Sequence, residues 1–282
     1  MGKFDGVLIA SDFDNTMVYT EDALLHTGII PPLSAANREA IEYFMRQGGI
    51  FSVATGRALP AFETLAPLLP MNGPTILFNG AAIYDFPARQ YVATRFLPAE
   101  ATDYIAQLED AFPRLAYEAY HDGSLAHMVH PNALMRNHVR LNKNPSVEAE
   151  SIRQVPLPLS KVVFEESEER CSDLERYIRQ QPWAENYEIV KSGRYFLEIT
   201  AKGATKGGMV RQLAELLHIR PENICCAGDQ ANDLSMLRCA GHAFAPANAI
   251  EAVRSEPGVT LLPHAREDAM AALIRHLDCL YP

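Results

Sequence analysis

At both ends of this 282-residue chain, strand-length apolar runs alternate with helix-length amphipathic stretches, and in the middle the alternation breaks. Residues 7–11, 50–54 and 75–78 read as strands. Between the first two lies a helix: Ser34 is a suitable N-cap, Ala36, Ala40, Ile41 and Phe44 recur at helical spacing, and Gly48-Gly49 ends it. The last third repeats the pattern. Helices are expected at 205–217, 231–239, 249–254 and 267–280, and strands at 223–227, 242–245 and 259–262. Such alternation implies a parallel sheet with helices on its faces. The middle instead shows strands in succession, at 91–96, 114–120, 124–129, 160–164 and 187–191, with helices near 99–111 and 168–180. That pattern suggests an antiparallel sheet with helices on one side. Residues 131–158 read as irregular apart from a short helix near 133–140. The expected fold class is α/β. A Rossmann-like, doubly wound parallel-sheet core (1–84 and 193–282) is split by an inserted α/β domain (85–192) of antiparallel sheet plus helices.

Composition narrows the functions. A net charge of −10 argues against nucleic acid and anionic membrane as partners. No apolar run approaches the length of a membrane span. The first residues lack the apolar segment of a signal peptide, and Gly6 stands where a myristoylation signal wants Ser or Thr. Cysteines at 171, 225, 226, 239 and 279 form neither a disulfide framework nor a zinc pattern. Cys225 and Cys226 read as buried thiols, and a reducing cytoplasm is expected.

The chemistry gathers where the apolar strands end. Asp12-Phe13-Asp14-Asn15-Thr16 follows the first strand. As the chain turns there, both carboxylates can lean beyond the sheet edge, where open parallel sheets bind ligands. Such a pair can hold a hard cation, and one carboxylate can attack an electrophile to form an acyl-phosphate. Asp, Asn and Thr are also ordinary turn residues. Thr55-Gly56-Arg57 ends the second strand and offers a hydroxyl, an unencumbered N–H and a guanidinium to phosphate oxygens, or simply caps a turn. Lys206 opens a helix, the wrong end for a cation, so it is expected to answer another charge; Lys202 competes for that role. In Gly228-Asp229-Gln230-Ala231-Asn232-Asp233 two aspartates straddle a helix start, either as caps or with Asp229 as metal ligand and Asp233 orienting water or Lys206. Oxygen ligands and a phosphate suit Mg2+.

The order DxDxT, TGR, Lys, GDxxND resembles the haloacid dehalogenase superfamily of phosphatases. An insertion after Asn79-Gly80-Ala81 and before Lys206 resembles its Cof-type subfamily with a type-two α/β cap. The resemblance implies a Mg2+-dependent phosphomonoester hydrolase for small phosphorylated metabolites, sugar phosphates first. Asp12 is then the nucleophile and Asp14 the general acid/base. Asp12, the Asp14 carbonyl and Asp229 hold the metal, with Asp233 nearby. Thr55, Gly56, Lys206 and Asn232 bind the phosphoryl group, and Arg57 and Asn79 face the cap. Tyr120, His121, His127 and Arg136 are cap residues that could meet a leaving group. Asn15 replaces the family's usual Gly, as in sucrose-phosphate phosphatases, and Ala245–Ala249 departs from a Met-Gly-Asn-Ala run while keeping Asn248. A phosphomutase or phosphotransferase, or a non-catalytic sensor, would use the same scaffold. A monomer or small homo-oligomer is expected.

Overall fold

The computed structural model describes residues 2–22, 26–121 and 125–281. The first part of the chain gives β1 (Leu8–Ser11), α1 (Ala35–Arg46), β2 (Ile50–Val53), α2 (Leu59–Glu63), β3 (Thr75–Leu77), β4 (Ala82–Asp85) and β5 (Gln90–Thr94). The middle gives α3 (Ala101–Ala111), β6 (Tyr117–His121), β7 (Leu125–Val129), α4 (Ala133–Asn142), β8 (Ser146–Ala149), β9 (Leu159–Glu165), α5 (Glu168–Arg179), β10 (Tyr187–Gly193) and β11 (Phe196–Ala201). The last part gives α6 (Lys206–Leu216), β12 (Ile224–Ala227), α7 (Leu234–Leu237), β13 (His242–Pro246), α8 (Glu251–Arg254), β14 (Val259–Leu262) and α9 (Ala269–Leu280). The expected strand over 124–129 begins at Leu125; its first expected residue, Ser124, lies outside the described residues.

A five-stranded sheet of order β14-β13-β12-β1-β2 is parallel throughout. Each strand is apolar on both faces, as a covered parallel sheet requires. Ile9, Phe51, Val53 and Phe244 join one core cluster with Ile41 and Phe44 of α1 and Leu273, Ile274 and Leu277 of α9. Leu8, Ala10, Cys226 and Ala245 join the other, with Met209, Val210 and Leu213 of α6 and Val253 of α8. Helices therefore cover both faces, as the alternation predicts. Ser34 caps α1 by accepting the Asn37 N–H at 3.2 Å.

A six-stranded sheet, β10-β11-β9-β6-β7-β8, carries α3 and α5 on one face. It is antiparallel except at β7–β8, which pair in parallel. The expectation of a purely antiparallel sheet is corrected here: α4 forms a crossover between β7 and β8, and a crossover returns the chain in the same direction. The polar stretch over 131–158 hid both α4's length and β8. The expected divisions at 84/85 and 192/193 do not coincide with the sheet edges. Beyond the first, β5 pairs with β4, which pairs with β3. Beyond the second, β11 pairs with β9 and β10. β3 is tied to the parallel sheet by a bridge between Ala54 and Ile76.

Gly80 sits where the chain leaves the parallel sheet. Its φ is +106°, and a Cβ there would come within 2.3 Å of the Thr205 carbonyl. Both the backbone conformation and the close approach to the start of α6 exclude a side chain. Gly80→Ala should destabilise the protein by about 2 kcal/mol or more, read as a lowered denaturation midpoint in urea at an unchanged slope.

Candidate active site

The chain leaves β1 towards β2 on one side, while β12, β13 and β14 build out the other side. Strand order therefore reverses between β1 and β12. A crevice opens outside the carboxyl ends of strands at such a point. Asp12 follows β1 directly, and its N–H donates to the Ala227 carbonyl at the end of β12 at 2.8 Å. Asp229 follows two residues beyond the end of that neighbouring strand. On the other side, the Ala54 N–H bonds the Ser11 carbonyl at 2.8 Å, which brings Thr55 and Gly56 to the same end of the sheet.

Asp233 shapes the turn after β12. Its Oδ2 accepts the backbone N–H groups of Asp229 and Gln230, each at 2.9 Å. Its Oδ1 accepts from Lys206 Nζ at 2.6 Å. A Cβ on Gly228 would lie 2.4 Å from the Asp233 Cβ, so glycine leaves the space that this carboxylate needs. Lys206, at the first position of α6, also donates to Asp12 Oδ1 at 2.7 Å. It is fully buried. Burial opposes its charge, yet the Asp12 and Asp233 carboxylates hold its pKa above the usual lysine value. Lys206 thus answers other charges, and Lys202 instead lies near Glu188 on the surface.

Carboxylate oxygens of Asp12, Asp229 and Asp233 lie within 4.8 Å of one another. Burial, then the neighbouring carboxylates, pushes Asp12 well above the usual carboxylate range against the pull of Lys206. Burial and Asp233 push Asp229 up to about 7. Among the described residues, the Asp229 carboxylate accepts from neutral donors, the Thr16 hydroxyl at 3.1 Å and the Gln230 amide at 3.2 Å.

The Asp14 side chain turns another way. Arg57 grips it with two bonds, Nε to Oδ2 at 2.8 Å and Nη2 to Oδ1 at 2.7 Å, and the Thr20 hydroxyl adds a third at 2.7 Å. Burial works upward on this carboxyl, but the guanidinium and its hydrogen bonds outweigh it and hold the pKa below the usual range. Asn15, with φ +57°, takes the left-handed conformation that this loop needs. Its side chain accepts the Thr20 and Glu21 N–H groups at 3.0 Å each, a role glycine lacks. Asn248 donates to the Asn15 carbonyl at 2.7 Å, so the altered 245–249 turn still secures the first loop.

The other expected residues form a layer beneath the six-stranded sheet. The Thr55 hydroxyl accepts the Arg57 N–H at 3.1 Å. Asn232 donates to Asn79 at 2.8 Å, and Asn79 donates to Glu198 of β11 at 2.9 Å. Lys161 of β9 donates to the Gly56 carbonyl at 3.2 Å and to Glu198 at 3.1 Å. Arg57 Nη1 reaches Asn142 of α4 at 3.1 Å. Lys161, Glu198 and Asn142 escaped the sequence reading. The available signal is a charge inside the largely apolar run 159–164, and another alternating with apolar neighbours in Phe196–Ala201. Of the four suggested cap residues, only Tyr120 joins the core cluster, edge-on to Phe78. His127 pairs with Ala119, whose side chain joins the cluster under α3 and α5, on the sheet face away from the core. Arg136 makes an exposed ion pair with Glu148, and His121 lies 3.1 Å from the Pro158 carbonyl.

Residues 9–274 match the family described as haloacid dehalogenase-like hydrolase. The chain belongs to this family. It is 26% identical over 270 residues to the 5-amino-6-(5-phospho-D-ribitylamino)uracil phosphatase YwtE of Bacillus subtilis, covering 88% of this chain and 90% of that one. It is 24% identical to an HMP-PP phosphatase of Serratia proteamaculans, over 95% and 94% of the two chains. Among solved structures, a haloacid dehalogenase-like hydrolase from Bacteroides thetaiotaomicron aligns with a TM-score of 0.79 at 23% identity, over 96% and 99%. The subclass IIB sugar phosphatase BT4131 aligns at 0.77 and 21%, over 96% and 99%. The haloacid dehalogenase-like chain is thus a phosphatase. Hydrolases of this family use a divalent metal, and the Asp12–Asp229–Asp233 cluster offers oxygen ligands to one. No helix among the described residues is long and apolar enough to cross a membrane.

Lys206→Met removes the only cation touching Asp12 and Asp233 among the described contacts and leaves their charge buried. In chelator it should cost roughly 3–5 kcal/mol of stability, measured by urea unfolding. The raised Asp229 makes the metal-free fold pH-sensitive. The folded state holds this proton more tightly than the unfolded chain, so its contribution is complete below the ordinary value of 3.8 and is lost as pH rises to about 7. Calorimetry in chelator should show Tm falling across that window relative to an Asp229→Asn variant, and divalent cation should flatten the fall.

Proposed function

We propose that this phosphatase is a Mg2+-dependent phosphomonoester hydrolase for small phosphorylated metabolites, sugar phosphates first, working through an aspartyl-phosphate. The observation that carries this reading is the buried crossing at Lys206, which fixes Asp12 at the strand reversal beside Asp229 and Asp233. Asp12 is the nucleophile: an Asp12 oxygen bonds to phosphorus and the substrate's alkoxide leaves. Asp14 supplies a proton to that alkoxide, then takes one from the water that opens the acyl-phosphate. Held as a carboxylate by Arg57, Asp14 stands ready for the second half. For the first half the Arg57 grip has to loosen, and Arg57 also touches α4 of the cap, so cap position and Asp14 protonation are linked.

The donor set fits Mg2+, since it offers only oxygens and is deficient in positive charge at Asp229. Asp12, Asp229, the Asp14 carbonyl and, nearby, Asp233 would hold it, and when bound it would offset charge on the cluster and the phosphate. Thr55, the Gly56 N–H, Lys206 and Asn232 bind the phosphoryl oxygens, while Arg57 and Asn79 face the cap. The cap comprises the six-stranded sheet with α3, α4 and α5, and it selects the leaving group and excludes water. Five free thiols suit a reducing cytoplasm.

Asp12→Asn should lower Mg2+-dependent hydrolysis of p-nitrophenyl phosphate by at least ~1,000-fold while leaving the circular dichroism spectrum and melting cooperativity unchanged. Substantial residual turnover would overturn the assignment of the nucleophile. A screen of phosphorylated sugars, nucleotides and cofactors then tests the substrate class.

A further inference from the structure

On the same cap face as Lys161 and Glu198, under α4, lies a second polar cluster, which the phosphoryl chemistry does not use. Glu118 of β6 and Glu165 of β9 are fully buried. Residues 118 and 120 of β6 alternate away from the apolar layer formed by Tyr117 and Ala119, and α4 covers that side. His138 of α4 reaches down between the carboxylates. Its Nδ1 lies 2.8 Å from Glu165 Oε1 and 3.2 Å from Glu118 Oε1. Tyr120 donates its hydroxyl to Glu118 Oε2, and Asn144 donates to the Tyr120 oxygen at 3.1 Å.

With both glutamates ionised the cluster is rich in acceptors and short of donors; burial pushes Glu165 up to about 7, so below that pH its own proton can serve Glu118. One ring N–H faces two carboxylate oxygens and can serve only one of them well. Among the described residues, Glu165 Oε2, on a side chain with no exposure, has no hydrogen-bond partner, and neither has Asn144 Oδ1. Native interiors rarely leave buried polar atoms in this state. A proton on His138 relieves part of the imbalance: burial disfavours its charge, yet the two carboxylates hold it up to about 10. It does not reach Glu165 Oε2.

We infer that Glu118, His138 and Glu165 form a second cation site, in the cap, for a divalent transition metal of the zinc class. An imidazole with two carboxylates is a donor set for such ions rather than for Mg2+. Ligand atoms ~2.0–2.1 Å from a tetrahedral ion stand about 3.3 Å from one another. The observed 3.2 Å meets that spacing, and the 2.8 Å contact has to open by about half an ångström. The free oxygen of Glu165 is a further acceptor on the same buried carboxylate. Tyr120 and Asn144 supply the outer hydrogen bonds that hold Glu118 in orientation. Access runs past His138, whose side chain is 25% exposed while both carboxylates are closed off. Zinc here would displace the imidazole proton. It would also fix α4, on which Asn142, one turn beyond His138, contacts Arg57.

The test is zinc binding by the full chain in millimolar Mg2+, measured by competition with a chromophoric chelator and repeated with Co2+ for its d–d spectrum. Wild type should bind one zinc tighter than ~1 µM and give the intense visible absorption of tetrahedral Co2+. Asp229→Asn should retain that zinc, which separates this site from the one between the sheets. Glu165→Gln and His138→Gln should each weaken it by roughly 100-fold or more. Failure of wild type to bind zinc at this level overturns the inference, and so does loss of the bound zinc in Asp229→Asn. Unchanged affinity in folded Glu165→Gln and His138→Gln overturns it as well. If either variant does not fold, the Co2+ spectrum of the Asp229→Asn protein decides alone.

Discussion

Everything at the carboxyl edge of the parallel sheet depends on one buried ammonium. Carboxylates ~4.8 Å apart repel by about 3.5 kcal/mol at an effective dielectric of 20. Three such groups would not share a dry crevice without compensation. Lys206 supplies it to two of them, at 2.7 Å to Asp12 and 2.6 Å to Asp233. Asp229 receives none directly. Burial raises Asp12 as well, against the pull of Lys206, and together with Asp233 it moves Asp229 to about 7, while Lys206 stays charged. Both carboxyls therefore gain from added positive charge. The fold serves this arrangement twice: α6 delivers its first residue to the crevice, and glycine at 228 makes room for Asp233 to hold the turn.

Two further cations tie the cap to the core. Arg57 spans Asp14 and Asn142, and Lys161 spans Glu198 and the Gly56 carbonyl. Each uses a group beside the expected phosphate site as one of its anchors. The contacts between cap and core therefore share groups with the electrostatics of the site. A buried ion pair contributes little net stability because desolvation offsets most of the attraction. These contacts consequently fix where the cap sits more than how firmly the protein is folded, and they can be exchanged for contacts to a ligand at small net cost.

Most of the core was legible in the sequence because its information is local. A covered parallel strand is a short apolar run, a helix shows its period, and Asp12, Thr55, Lys206 and Asp229 each sit within a few residues of an element end. Even the misfit of Lys206 with its helix dipole could be seen before its partners were known. The cap was less legible because its order lies in pairings between distant segments. β8 is four residues of largely exposed strand whose pattern gives no period to read. β11 reads as a strand only once β9 and β10 flank it. Nothing within the sequence of β5 says that it pairs with β4. The charges of Glu118, Lys161 and Glu198 carry no local signal of burial, yet each is nearly or fully buried.

That difference between the two faces of the cap sheet bears on what the cap is for. The face under α3 and α5 is apolar and packs Tyr117, Val162 and Phe164 against Leu108 and Leu174. It suffices to hold the sheet together. The opposite face buries Glu118, Lys161, Glu165 and Glu198, which stability alone does not favour, since apolar residues of similar size would do as well or better. Several acceptors there and at its junction with the core lack donors, including Glu165 Oε2, Asn144 Oδ1 and Asn232 Oδ1. Such a surface has acceptors to offer to cations or donor-rich groups. The apolar face keeps the cap folded, so the charged face is free to answer to ligands.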